Sequence, residues 1–153
     1  MAILVYYVVH EGAHLLYALY VGVFKQINFM GLGVQIDVYV EKMTSSEMMI
    51  FCLLGSASTL IVAYVLTAMT NILVRSTSKI FKACMYYITI AMLLIDPVYL
   101  SVLCGFFGGG DMNGISLLFP EIAVRIVYGI ILAINIAVFM KIVLPKYQLA
   151  FSE

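Results

Sequence analysis

The sequence predicts an all-α integral membrane fold. It has about four transmembrane helices, a short β-hairpin after the first and a re-entrant glycine-rich loop before the last, in a single membrane-embedded domain over residues 1–153. Three observations carry this reading. The chain is 65% hydrophobic and only 10% charged, with a mean hydropathy of +1.12, more apolar surface than a soluble domain needs. Apolar runs long enough to cross a bilayer recur along the chain between short polar segments. One polar segment alternates apolar and polar residues with the two-residue period of a strand. The formal net charge is zero, so there is no electrostatic footprint for nucleic acid and no polybasic membrane patch.

The first span is expected over residues 1–24. It has neither a basic leading region nor a small-residue cleavage site, so it is read as part of the fold rather than a removable signal. The polar interlude from Lys25 to Glu47 follows. In it Val34, Ile36, Val38 and Val40 alternate with Gln35, Asp37 and Tyr39. That pattern predicts a strand, and a Gly31-Leu32-Gly33 turn pairs it with Gln26–Met30. Thr44-Ser-Ser-Glu47 reads as a capping box opening the next helix.

The second span, Met48–Val74, contains Gly55-Ser-Ala-Ser-Thr59, a small-residue patch that lets another helix approach closely. Arg75–Lys82 reads as a basic loop. The third span begins near Ile80, and Asp96-Pro97 predicts a kink or break in it, because proline lacks a backbone donor and disfavours helix at the residue before it. Gly105–Gly114 is too rich in glycine for a regular helix and too apolar for a solvated linker. Such backbone is tolerated at membrane depth where it lines a cavity. The last span is Glu121–Leu144, bounded by Pro120 and Pro145, with Glu121 and Arg125 spaced to pair. Cys52, Cys84 and Cys104 lie in apolar stretches without a C-x-x-C spacing and read as buried thiols. The 11 tyrosines are candidate interfacial anchors in a chain without tryptophan. With four spans, Arg75, Lys79, Lys82, Lys141 and Lys146 share a side with both termini, against Lys25 and Lys42 on the other. The positive-inside rule then predicts cytoplasmic termini, in the cell membrane.

The chemistry is concentrated in the first span. His10, Glu11 and His14 spell His-Glu-x-x-His, and these are the only two histidines in the chain. On a helix both rings share a face and reach one Zn²⁺, with a carboxylate beside them able to take a proton from metal-bound water. Ionisable groups at such depth are expensive and are functional candidates by default. Catalytic zinc takes three protein ligands and an open position. Glu11 is kept as the base, which leaves Asp111 and Asp96 for the third ligand. Asp111 is favoured because the glycines before it let the backbone fold inward. Asn113 and Asn135 are candidate oxyanion donors, and Asn135 equally suits a hydrogen bond between helices.

These residues resemble the site-2 protease family of intramembrane zinc metalloproteases. That family carries His-Glu-x-x-His on one transmembrane helix and an aspartate ligand in a later Asn-x-x-Pro-x-x-x-Leu-Asp-Gly motif. His10, Glu11 and His14 match the first motif. Asp111-Met-Asn-Gly114 meets the second in its aspartate and glycine, with no leucine before Asp111 and no Asn-x-x-Pro upstream. The hairpin and the Gly55–Thr59 patch are also similar to the family's layout. The resemblance implies a zinc metalloendopeptidase acting on transmembrane proteins or peptides. The Val34–Val40 strand is a candidate clamp for the extended substrate by β-augmentation. A metal-binding or metal-transporting membrane protein is the alternative expectation.

Overall fold

The computed structural model describes residues 1–30, 33–107 and 110–152. Its elements follow in chain order as α1 (Ala2–Val21), β1 (Phe24–Met30), β2 (Gly33–Val38), α2 (Ser45–Ala68), α3 (Thr70–Leu73), α4 (Lys79–Val98), α5 (Cys104–Phe107), α6 (Gly110–Ile115), α7 (Glu121–Val138) and α8 (Leu144–Ser152). Among the described residues four helical stretches are long and apolar enough to cross a membrane: Ala2–Val21, Ser45–Ala68, Lys79–Phe106 and Glu121–Ser152. Their outward faces carry exposed apolar side chains such as Leu4, Leu16, Ile61, Ile122 and Ile130, the surface expected where lipid is the solvent.

Gly22 ends α1 in the left-handed conformation, at φ 77°, which costs no Cβ clash in glycine. The chain then turns back as an antiparallel hairpin pairing Ile27 with Ile36 and Phe29 with Val34. The strand is shorter than its alternation suggested. It stops at Val38, and Val40–Lys42 forms a 3₁₀ turn. Of the expected Gly31-Leu32-Gly33 turn, Gly31 and Leu32 lie outside the described residues. Ile36 and Val38 are buried while Gln35 is exposed, so the hairpin rests one face on the bundle. The capping box forms: the Thr44 hydroxyl accepts from the Glu47 amide at 3.2 Å, and the Glu47 carboxylate accepts from the Thr44 amide at 2.8 Å.

At two prolines the helix continues: the kink or break expected at Asp96-Pro97 is not a break, and the end expected at Pro145 is not an end. Helix α4 runs through Pro97 and continues as a π-turn over Tyr99–Leu103 into α5. Proline at 97 deprives the Leu93 carbonyl of its helical donor. The Asn135 side-chain amide, from α7, supplies the missing bond to Leu93 O at 2.6 Å. The Asn135 carbonyl oxygen in turn accepts from the Tyr64 hydroxyl at 2.7 Å. Likewise Pro145 does not close the last span. A π-turn over Phe139–Val143 precedes it, and helix continues to Ser152. The described part of the glycine-rich segment is short helix, α5 and α6, rather than loop. Lys82, expected in a basic loop, is buried in the first turn of α4 and donates to the Ala150 carbonyl, where it faces the carbonyl-rich end of α8.

The core has two parts. One gathers Ala18, Ile36, Phe51, Cys52, Leu100 and Met112 beside the hairpin. The other gathers Tyr6, Ala63, Met92, Leu93 and Tyr147 at the opposite end. Histidines 10 and 14 lie between them on α1. All three cysteines are free; Cys52 and Cys104 are buried and Cys84 half-buried.

Candidate metal centre

One helical turn separates His10 from His14, so α1 presents both rings on the face that packs against α2. Gly55 makes this possible. A Cβ at that position would stand 2.5 Å from His14 Nε2 and 2.6 Å from His10 Nε2, so the rings occupy space that any other residue would fill. This is the close approach expected of the Gly55–Thr59 patch, and Ser58 adds a hydroxyl bond to the Val9 carbonyl at 3.2 Å.

The two Nε2 atoms lie 3.2 Å apart. Asp111, in the first turn of α6, brings its carboxylate to them, Oδ2 3.1 Å from His10 Nε2 and Oδ1 3.6 Å from His14 Nε2. These three groups offer one ligand atom each, all within 4.8 Å of one another. The other ring nitrogens face acceptors. His14 Nδ1 lies 2.8 Å from the Phe51 carbonyl, which can only accept, so this nitrogen carries the proton. His10 Nδ1 lies 3.2 Å from Asp96 Oδ1 and 3.3 Å from Oδ2 and donates in the same way. In the neutral rings both Nε2 atoms are therefore lone pairs, aimed at each other and at a carboxylate. Such a cluster requires positive charge at its centre, a metal ion or ring protons. Two imidazoles and one carboxylate, with outer partners fixing the tautomers, are the donor set that suits zinc.

Asp96 thus meets His10 on the nitrogen opposite to the one that Asp111 approaches. It is 1% exposed and gathers three donors: His10, the Tyr6 hydroxyl at 2.5 Å and the Thr59 hydroxyl. Buried carboxyl oxygens need such hydrogen-bond partners in place of water. Tyr6 and the Phe51 carbonyl were not singled out from sequence, and Gly55 and Thr59 were expected only as the ends of a small-residue packing patch. Tyr6 carried a signal, since it precedes His10 by four residues and shares its helix face.

Glu11 lines the same cavity, of about 920 Å³, together with His10, His14, Asp111, Asn113 and β2 residues from Gly33 to Val38. Its Oε2 accepts from the Ile36 backbone amide at 3.1 Å. Asn113 is exposed to this cavity. Asn135 is not at the site; it is fully buried and engaged with Leu93 and Tyr64. Outside the spans, Lys25 and Asp37 pair across the hairpin at 3.0 Å. The hydrogen bond from Lys25 pulls the Asp37 carboxyl below its ordinary range, and the same bond pushes the Lys25 ammonium up.

Comparison of the chain with protein-family models, curated proteins and solved structures finds no match.

Proposed function

We propose that this chain is an intramembrane zinc metalloendopeptidase of the site-2 protease type. It hydrolyses peptide bonds of membrane-spanning or membrane-adjacent substrates. The observation that carries the reading is the convergence of His10, His14 and Asp111 in one cavity with Glu11 and an extended strand.

His10, His14 and Asp111 are the proposed ligands. Zinc held there supplies a Lewis acid that polarises a carbonyl and acidifies water. Glu11 takes a proton as water attacks the scissile carbonyl carbon, and delivers it to the amine as the C–N bond breaks. Asp96 and the Phe51 carbonyl hold the two imidazoles in the ligating tautomer. The β2 strand holds the substrate segment extended, as hydrolysis of a helical segment requires its backbone to be unwound first. In this reading the chain sits in the membrane, and the distribution of Arg75, Lys79, Lys82, Lys141 and Lys146 against Lys25 and Lys42 supports cytoplasmic termini.

Elemental analysis of purified protein, with turnover of a fluorogenic peptide library in detergent micelles, tests this. One zinc per wild-type chain is expected, lost in Asp111→Ala. Glu11→Gln keeps the zinc and loses cleavage, because an amide cannot take the proton. A site that only stores or transports metal has no need of a base. Equal cleavage in Glu11→Gln therefore ends the protease reading, and a zinc-free wild type ends the metal site.

A further inference from the structure

The Ile36 amide sits where two acceptors compete for it. In an antiparallel pair, backbone groups of successive residues point alternately toward the partner strand and away from it. Ile36 stands opposite Ile27, yet its N–H goes to Glu11 on α1. It therefore belongs to the set that faces away from β1, and so by alternation does Val34. This is the β2 edge that lines the cavity with His10, His14 and Asp111. An extended chain added to that edge needs the donor Glu11 now uses, and one N–H cannot serve both acceptors at full strength.

We propose that the Ile36 amide is a shared donor: it holds Glu11 in the resting protein, and an extended polypeptide added along β2 takes it over and frees the carboxylate. This rests on the reading of the site as peptide-hydrolysing. It makes strand addition the step that readies the base. Short peptides that cannot reach Val34 and Ile36 leave Glu11 tied to the strand, so the site is selective for extended backbone irrespective of side chains. The carboxylate is also kept from idle proton transfer until a chain is seated.

The test is a binding measurement on full-length protein in detergent micelles, stripped of metal by a chelator so that no turnover occurs. The probe is a fluorescent decapeptide of alternating valine and threonine, with an alternately N-methylated copy that cannot pair as a strand. Glu11→Ala is expected to bind the unmethylated probe about fivefold tighter than wild type, the equivalent of one net hydrogen bond no longer displaced. The methylated probe gains nothing. Ile36→Pro removes the contested donor without removing a ladder bond, and the advantage of Glu11→Ala disappears in that background. Amide hydrogen exchange at Ile36 gives a second readout that needs no proline variant: faster in Glu11→Ala, slower again once the probe is added.

Equal or weaker binding in Glu11→Ala, absence of probe binding, or an Ile36 amide indifferent to the probe overturns the proposal. The two readings fail separately. Turnover by wild type with unchanged binding in Glu11→Ala sinks the shared donor alone. Tighter binding in Glu11→Ala with no hydrolysis by the zinc-loaded wild type sinks the protease reading alone.

Discussion

Asn135 donates its side-chain amide to the carbonyl oxygen of Leu93 at 2.6 Å, the acceptor left without a helical partner by Pro97. Asparagine on α7 thereby repairs a defect in α4. Without the repair, a buried carbonyl in an apolar bundle is orphaned.

Asn135→Leu is expected to lower stability by about 1–3 kcal/mol, the cost of leaving a buried acceptor unsatisfied. Thermal unfolding in micelles measures it. In a Pro97→Ala background, residue 97 supplies its own amide, and the same substitution should cost much less. An additive cycle contradicts the repair.

At the proposed zinc site, Asp96→Asn is expected to weaken binding about 10–100-fold, the usual penalty for losing an outer partner of a histidine ligand. Asp111→Ala, which removes a proposed ligand rather than its support, should weaken it further. Competition with a chromophoric chelator ranks the variants. An Asp96→Asn affinity equal to wild type means that the Nδ1 contact does not set the tautomer.

Gly55→Ala places a Cβ within 2.6 Å of both Nε2 atoms. The rings must turn or α1 must move off α2. Zinc at the proposed site should fall below the detection limit while far-UV circular dichroism stays helical, because the clash is confined to the site. Retained zinc in a folded Gly55→Ala protein rules out the close packing of α2 on the histidines.

At the hairpin the sign of the pH dependence follows from the Lys25–Asp37 pair. The Asp37 carboxyl is held low by the Lys25 hydrogen bond, so its contribution is present above the ordinary carboxylate range and is lost as pH falls through the folded value. Lys25 is pushed up by the same bond, so its contribution is present below the ordinary lysine range and is lost as pH rises through the folded value. Lys25 is exposed and Asp37 half-buried at the surface, so salt screens the effect. NMR titration of Asp37 should show a midpoint below that of an unpaired aspartate, returning toward it in Lys25→Met and in high salt. An identical midpoint in wild type and Lys25→Met excludes the pair.

What the sequence by itself determined is whatever depends on short, fixed spacings. His10 and His14 share a face because they are one turn apart. Thr44 and Glu47 cap each other across three residues, and Glu121 pairs with Arg125 at 2.7 Å across four. The backbone geometry of one helix decides these contacts. Tertiary structure decided the rest. Asp96 and Asp111 both reach His10 from 86 and 101 residues away. No local pattern says which one meets Nδ1 and which meets Nε2; the packing of α4 on α1 and of α6 on α2 sets that. The prolines teach the same lesson. Pro97 predicts a break from its missing donor, but a helix breaks only where nothing else satisfies the freed carbonyl. The group that satisfies it stands 42 residues further along, on α7.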